Sequence, residues 1–246
     1  MRIRLRIAYD GTGYCGFQCQ TNGVAVQDVL NDALSDLFGM PVRTIGASRT
    51  DAGVHAEGNV AVFDMETRIA PSKIAFALNA RLPEDIRITE SCAVPDDWHP
   101  RYRNTVKTYE YRILNRVHPD PLSRRTEMHY YYPLDADNMN RAASYLVGEH
   151  DFASFCAAGT SAKSTIRTIY RAEVKREGDR VIFSVTGNGF LYNMVRIIAG
   201  TLLEIGGGKY PAEHMREILE ARDRSAAGPT AVAKGLVLME ILYPDG

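Results

Sequence analysis

Between two apolar segments the chain carries a short polar stretch, Ala47-Ser48-Arg49-Thr50-Asp51-Ala52-Gly53-Val54-His55-Ala56. The flanking segments Val42–Ile45 and Asn59–Phe63 are rich in β-branched and apolar residues, which predicts two strands joined by this stretch. A carboxylate on a loop between two strands is well placed to act on a molecule outside the protein. However, Asp51 followed two residues later by a glycine is also ordinary turn chemistry. Residues elsewhere in the chain must decide between these two interpretations.

Length and composition indicate an ordinary globular protein. The chain has 246 residues, of which 45% are hydrophobic and 24% are charged, so it is long enough to bury a full core. Its net charge of −1 gives no overall field that attracts an acidic partner. Lysine and arginine do cluster in residues 101–125 and 163–176. These clusters are compatible with a basic face that binds phosphates and equally with a mixed, solvated surface.

The sequence has no feature typical of a secreted or membrane protein. The first residues alternate between arginine and aliphatic side chains, as in a strand, and no segment approaches the ~20 apolar residues of a membrane span. The four cysteines have neither disulfide-framework nor zinc spacing. We therefore expect a cytoplasmic protein with reduced thiols and no metal site.

Hydrophobic periodicity predicts an α+β fold with helices packed on a sheet. In the first half it predicts strands and helices at Ile3–Tyr9 (strand), from Val26 (helix), at Val42–Ile45 and Asn59–Phe63 (strands), from Pro71 (helix) and at Ile86–Val94 (strand). A polar, turn-rich segment at 95–100 then predicts a boundary between subdomains 1–100 and 101–246.

The sequence of the second half predicts a similar order of strands and helices, although its residues do not align with those of the first half. The expected elements are a strand at Val106–Leu114, a helix around Met139–Leu146, a loop at Gly148–Ser164, strands at Ile169–Lys175 and Val181–Thr186, an apolar helix at Leu191–Ile205, a charged helix at Ala212–Ala221 and a strand at Leu236–Tyr243.

Two residues of the second half bear on the role of Asp51. Arg196 lies in an almost wholly apolar helix, and a buried guanidinium needs an anionic partner. Asp51 is one candidate partner; another acid or exposure to solvent is the alternative. Tyr109 lies between Lys107 and Arg112, so it either stacks on a nucleobase whose phosphate the cations hold, or packs in the core of a sheet.

Several short segments are more informative about the kind of protein than the composition is. They are Tyr9-Asp10-Gly11-Thr12, Gly16-Phe17-Gln18, the Arg49–Ala56 segment, Asn79-Ala80-Arg81-Leu82-Pro83, Lys107-Thr108-Tyr109-Glu110-Tyr111, Gly148-Glu149-His150-Asp151-Phe152 and Asn193-Met194-Val195-Arg196. With these segments the chain resembles the tRNA pseudouridine synthase A (TruA) family over nearly its whole length. The Arg-Thr-Asp-x-Gly-Val-His-Ala segment is highly specific to that family. The chain departs from it modestly, with Phe17 where tryptophan is frequent and Ser48 where glycine is common.

The resemblance implies a pseudouridine synthase fold whose two subdomains meet at a central catalytic cleft. It implies isomerisation of uridine to pseudouridine in the anticodon arm of tRNA, around positions 38 to 40, by a homodimer that needs no cofactor. It also implies a flipped-out nucleotide and the following site residues: Asp51, Arg196 and Tyr109 as catalytic groups, and Tyr109, Arg49, Asp10, Lys107 and His150 as substrate-binding groups.

The residues alone leave two other classes of function open. One is a non-catalytic RNA-binding module in which Asp51 only closes a turn. The other is a small-molecule hydrolase with Asp51 as nucleophile, for which His55 is the nearby histidine that could activate water.

Overall fold

The structure is a computed structural model that describes residues 1–21, 23–160 and 162–244. The helices and strands are β1 (Arg2–Tyr9), α1 (Val26–Phe38), β2 (Ile45–Gly46), β3 (His55–Asp64), α2 (Ile74–Asn79), β4 (Ile86–Val94), β5 (Val106–Asn115), β6 (Met128–Tyr130), α3 (Ala136–Ser144), β7 (Gly148–Asp151), β8 (Ile166–Glu177), β9 (Arg180–Gly187), α4 (Met194–Gly206), α5 (His214–Ala221) and β10 (Leu236–Leu242). This combination of strands and separate helices confirms the predicted α+β class.

The chain forms two compact units. Unit 1 contains Met1–Thr105 and the C-terminal segment from Leu238 onward, and unit 2 contains Val106–Val237. The C-terminal strand therefore contributes most of its residues to the unit that also holds the N-terminus. The division into functional subdomains 1–100 and 101–246 stays a prediction.

In unit 1 the strands are ordered β4-β1-β3-β10, and β2 pairs with β3. Strand β1 is antiparallel to both β3 and β4. Its Ile3, Leu5 and Ile7 are fully buried, and fully burying such a side chain contributes about 1.5–3 kcal/mol. The alternate arginines lie on the other face, where Arg2 pairs with Asp64 at 2.7 Å. The alternation seen in the sequence is therefore the inside–outside pattern of a strand.

Helix α1 packs against this sheet along one apolar stripe. Val26, Leu30 and Leu34, spaced four residues apart, are all fully buried. Asp28 in the first turn accepts a hydrogen bond from the backbone N–H of residue 25, and the helix ends at Gly39 in the left-handed conformation (φ 66°). The observed start at Val26 agrees with the sequence prediction.

The predicted strand at Val42–Ile45 was mostly wrong, because only Ile45–Gly46 is a strand. The backbone of Thr44 is bonded to side chains of α1 instead: its N–H donates to Asn31 Oδ1 at 2.9 Å, and its carbonyl accepts from Gln27 Nε2 at 2.7 Å. These bonds satisfy backbone groups that a neighbouring strand would otherwise have to satisfy. A local apolar pattern does not reveal such a competition.

In unit 2 the strands are ordered β5-β9-β8-β7, and β6 pairs with β5 in parallel. The predicted loop at Gly148–Ser164 was wrong at its start, because Gly148–Asp151 forms strand β7, paired with β8 from Gly148↔Ile169 to Asp151↔Ile166. Glycine, acidic residues and histidine have low strand propensity, so here backbone pairing at a sheet edge prevails over local preference.

Helix α4 is the central helix of unit 2 and is buried on almost every side. It starts at Met194, three residues later than predicted, because Asn193 adopts the left-handed conformation (φ 58°). The helix is also crossed closely by the segment near Pro229: a Cβ on Gly200 would lie 1.8 Å from the Pro229 carbonyl oxygen. Glycine is therefore required at this crossing.

Candidate active site

The polar stretch around Asp51 forms a tight turn immediately before β3. The N–H of Val54 donates to the Asp51 carbonyl at 3.1 Å, and Gly53 has a φ of +77°, which glycine adopts without strain. The N–H of Gly53 also donates to the Tyr14 carbonyl at 3.3 Å. Asp51 is half-buried at the first position of this turn. It does close a turn, as the simpler interpretation expects, and its side chain remains partly accessible.

A buried network of polar side chains holds the turn from within unit 1. The hydroxyl of Tyr9 lies 2.7 Å from Thr50 Oγ1, and Asn59 Nδ2 donates to the Tyr9 hydroxyl at 3.2 Å and to the Ser48 carbonyl at 3.1 Å. Thus residues 48 and 50 are fixed to the interior, while Arg49 between them is exposed. Sequence reasoning missed this network. The signal was Asn59, a fully buried amide beside an apolar run.

The glycine-rich segment after β1 packs against the turn. A Cβ on Gly11 would lie 2.0 Å from the Val54 carbonyl oxygen, and one on Gly16 (φ +95°) would lie 2.4 Å from the Thr50 carbonyl oxygen. The N–H of Phe17 donates to that same Thr50 carbonyl at 3.2 Å. These close approaches leave no room for a side chain, which explains why glycine occupies positions 11 and 16.

Asp10 and His55 join the two segments. Asp10 Oδ1 accepts a hydrogen bond from the Thr12 N–H at 3.0 Å and so caps the short 3-10 turn at Gly11–Gly13. His55 is buried, and its Nδ1 accepts from the Gly11 N–H at 3.0 Å while lying 3.1 Å from Asp10 Oδ1. One nitrogen cannot accept from Gly11 and donate to Asp10 at once, so these two contacts of Nδ1 are not both hydrogen bonds.

The position of His55 argues against a water-activating role, because the ring is only 4% exposed and its Nδ1 is already bonded to backbone. Its place in the fold is that of a residue that fixes the two segments together. The predicted contact of Asp10 with substrate stays a prediction.

In unit 2, Tyr109 lies on β5 opposite Val185 of β9. Its ring is 7% exposed and packs edge-on against Phe190, with ring centroids 5.1 Å apart. Lys107 lies on the same face of β5, since side chains two residues apart share a face. Arg112 points to the opposite face and bonds Glu110 at 3.0 Å. The expectation of two cations flanking Tyr109 was therefore wrong for Arg112, because a strand alternates its faces.

Arg196 lies in the first turn of α4 and is half-buried, as the sequence predicted. Its Nε donates to the Ala231 carbonyl at 2.8 Å, and its Nη1 donates to Asn193 Oδ1 at 2.8 Å. The two bonds fix the plane of the guanidinium. Whether Asp51 is its anionic partner stays a prediction.

His150 lies on β7, opposite Arg167 of β8. Its Nε2 is 3.1 Å from the Val147 carbonyl, and its ring meets Phe152 edge-on. It is half-exposed at the edge of the unit 2 sheet. Unit 1 thus brings together Asp51, Arg49, Asp10 and His55, while the remaining predicted site residues lie on three different elements of unit 2.

No group of three histidine, cysteine, aspartate or glutamate residues in the described part of the chain is arranged to hold a metal ion. None of the helices there is long and apolar enough to cross a membrane.

Comparison with known proteins identifies the family. The family model for tRNA pseudouridine synthase matches residues 6–103 and 142–244. Proteins called tRNA pseudouridine synthase A are similar to the chain over nearly its full length. That of Halalkalibacterium halodurans is 48% identical over 237 residues (96% of this chain, 90% of the relative), and that of Acetivibrio thermocellus is 48% identical over 241 residues (98% and 99%). That of Bacillus pumilus is 43% identical over 247 residues, an alignment that covers 100% of each chain.

The fold and the matched segments define an isomerase of the pseudouridine synthase class. The chain belongs to the tRNA pseudouridine synthase family. The resemblance drawn from the sequence motifs is therefore confirmed, and with it the α+β pseudouridine synthase fold.

Proposed function

We propose that this protein converts uridine to pseudouridine in the anticodon stem-loop of tRNA, at positions 38 to 40, with Asp51 as the nucleophile. The target nucleotide is stacked in the arm, so it must be flipped out, at a cost of a few kcal/mol. The observation that carries the proposal is that the chain leading to Asp51 is held in place. Buried hydrogen bonds fix Ser48 and Thr50, while Asp51 stays partly exposed.

The reaction rearranges the substrate without adding a group. The N1–C1′ glycosidic bond breaks, the uracil turns, a C5–C1′ bond forms, and the proton lost from C5 is balanced by one gained at N1. No electrons are gained or lost, so neither a redox cofactor nor a co-substrate is required. As a nucleophile, Asp51 is suited to attack on C1′ or to addition to C6 of the base; the alternative first step uses it as a base that removes the C2′ proton to give a glycal. Each requires an ionised carboxylate.

We assign Arg196 the role of orienting that carboxylate. Its guanidinium is held by Ala231 and Asn193, so it presents its charge in a fixed direction. A guanidinium beside a carboxylate stabilises the ionised form and fixes its geometry.

Tyr109 is assigned to the uracil ring. Stacking on the flipped base keeps it in the pocket while it is detached from the sugar, and the hydroxyl helps to remove the C5 proton. The edge-on packing against Phe190 holds the Tyr109 ring in a fixed orientation.

The other predicted site residues serve the RNA. The exposed Arg49 fills the space that the flipped nucleotide leaves or holds the backbone there. Asp10, Lys107 and His150 contact the substrate around it. We further propose that the protein acts in the cytoplasm as a homodimer whose two subunits share one tRNA.

The proposal is tested by incubating purified protein with an unmodified tRNA transcript that carries uridine at positions 38, 39 and 40. Carbodiimide mapping then locates any pseudouridine. We expect modification at one or more of these positions and at no uridine outside the anticodon arm. Binding without any product favours a non-catalytic RNA-binding protein, and product elsewhere in the tRNA contradicts the assigned target.

A further inference from the structure

We propose that Arg101 and Tyr102 form a nucleotide subsite beside the Asp51 loop, in which the Arg101 guanidinium binds a backbone phosphate and the Tyr102 ring stacks on an unpaired base. The inference rests on the proposed function in one respect, namely that the ligand is the RNA substrate. It adds a binding site, from a segment after β4, to the residues already assigned.

The first observation is where Arg101 is anchored. Its Nε donates to the carbonyl of Gly46 at 2.6 Å, and Gly46 ends β2 directly before the stretch that carries Asp51. Within the described ranges, Nη1 and Nη2 of Arg101 have no hydrogen-bonding partner, and no carboxylate lies within 4 Å. The guanidinium is thus fixed at one nitrogen, while the fork that recognises phosphate remains available.

The second observation is the charge around it. Arg49 is exposed and forms no ion pair with any described residue. Burial and then the positive charge of Arg49 lower the pKa of Arg101 below its ordinary value. Two guanidiniums that repel each other with no carboxylate between them leave a local excess of positive charge. A phosphate placed between them removes that repulsion.

The third observation is the aromatic ring next to Arg101. Tyr102 is 85% exposed, yet it stacks on His99 with ring centroids 4.1 Å apart and an interplanar angle of 19°. His99 Nδ1 in turn accepts the backbone N–H of Arg101 at 3.1 Å, which ties the stack to the arginine. Burial and the charge of Arg101 lower the pKa of His99, so this ring is neutral at neutral pH.

These features together fit single-stranded RNA. An aromatic ring that is held on one face and open on the other is a platform for a base, and every base offers a face for stacking. The arginine beside it supplies the charge for the phosphate of the same or the next nucleotide. Because Gly46 directly precedes the stretch that carries Asp51, we expect the bound nucleotide to belong to the part of the RNA that surrounds the reacting uridine.

The test is the affinity for a fluorescent anticodon stem-loop RNA, measured by anisotropy at several salt concentrations. We expect Arg101→Gln to weaken binding at least fivefold and to reduce the slope of log K against log salt by ~0.7–0.9, the value for one phosphate contact. Arg101→Lys retains the charge and should restore the slope. If Arg101 only braces the loop through Gly46, both variants keep the wild-type slope, and the phosphate assignment is overturned.

Tyr102 is tested separately, because an exposed side chain can be changed without unfolding the protein. Tyr102→Ala should weaken binding about tenfold and Tyr102→Phe less than twofold, since Phe keeps the stacking face. Arg68→Gln and Phe76→Ala, at exposed positions of unit 1, are the matched controls and should bind like the wild type. Equal affinities for Tyr102→Ala and the wild type overturn the base platform.

Wild-type turnover on the same RNA keeps the two proposals distinct. Product formation by the wild type, with unchanged binding by the Arg101 and Tyr102 variants, overturns this subsite only. No product from the wild type, with weakened binding by those variants, supports the subsite and overturns the proposed function.

Discussion

The phenolic oxygen of Tyr9 lies 2.7 Å from Thr50 Oγ1 in the interior of unit 1, one residue before Asp51. Asn59, fully buried on β3, donates to the same phenolic oxygen and to the Ser48 carbonyl. The chain on the N-terminal side of Asp51 is therefore fixed by side chains from β1 and β3. This bracing explains how a loop residue is held in position for chemistry.

Removing the Tyr9 hydroxyl should weaken both the fold and the placement of Asp51. In Tyr9→Phe the buried Thr50 hydroxyl and Asn59 amide each lose a partner, so we expect a loss of about 1–3 kcal/mol in the free energy of unfolding. We also expect kcat to fall at least tenfold with little change in KM. Urea unfolding and steady-state kinetics measure the two effects.

Tyr14→Phe is the matched control for this change. The Tyr14 hydroxyl donates to Asp85 in an exposed hydrogen bond at 2.7 Å, so its removal should change stability by less than about 1 kcal/mol. A Tyr9→Phe variant as stable and as active as Tyr14→Phe would show that the buried network does not position Asp51.

Of two glycines in one turn, only Gly11 should be sensitive to substitution by alanine. Gly11→Ala places a Cβ 2.0 Å from the Val54 carbonyl oxygen, which forces the segment away from the Asp51 turn. Gly13→Ala, two residues later, meets nothing within 4 Å. We expect Gly11→Ala to lower the melting temperature and abolish turnover, and Gly13→Ala to behave like the wild type. Equal effects of the two changes argue against the close packing described for this segment.

The local patterns of the sequence were enough to place most elements. Periodicity located β1, α1, β4 and β5 within a residue or two, because each alternates or repeats apolar side chains on one face. It failed at Val42–Thr44 and at β7, where backbone groups are satisfied by distant side chains or by a neighbouring strand. These partners are tertiary, and no window of sequence contains them.

The sequence predicted which residues form the site, but not the hydrogen bonds that hold them in place. The Asp51 motif identified the loop. The hydrogen bonds that hold it join residues far apart in the sequence: Tyr9 and Thr50 are about 40 positions apart, and Tyr9 and Asn59 about 50. Strand parity was available from the sequence and would have separated Arg112 from Tyr109. The position of Arg101 against Gly46 was not available, because it depends on how a long irregular segment folds back.

Burial of Tyr111 should make the free energy of unfolding decrease at alkaline pH. The ring is fully buried, its hydroxyl donates to the Val232 carbonyl at 2.8 Å, and burial raises the pKa of the phenol well above its ordinary value. Above pH ~10 the unfolded chain loses this proton while the folded chain keeps it, so the free energy of unfolding falls by up to ~1.4 kcal/mol per pH unit.

Urea unfolding between pH 8 and 11 measures this dependence. Tyr111→Phe should be less stable than the wild type at pH 8, because it lacks the hydrogen bond, and should lose less stability as the pH rises. Tyr131→Phe, a change at an exposed ring, is the control and should follow the wild type. Parallel curves for wild type and Tyr111→Phe would contradict the burial of an ionisable group there.

Two substitutions of Tyr109 should distinguish the contribution of its ring to RNA binding from the contribution of its hydroxyl to the reaction. Tyr109→Phe retains the ring and its packing against Phe190, so we expect RNA affinity within about twofold of the wild type. We expect its kcat to fall about 100-fold or more, the usual contribution of a general base. Tyr109→Ala should also lose affinity. A Tyr109→Phe enzyme with normal kcat excludes the hydroxyl from the reaction and leaves stacking as its role.

The most direct test of the account compares the wild type with Asp51→Asn and Asp51→Ala in single-turnover pseudouridine formation on an anticodon stem-loop RNA. The Asp51 backbone carbonyl, which closes the turn with Val54, is unchanged in both variants. We predict complete conversion by the wild type, no detectable product from either variant, and RNA affinity within about threefold of the wild type for both. Turnover within tenfold of the wild type in Asp51→Ala would contradict the central claim that this carboxylate performs the chemistry.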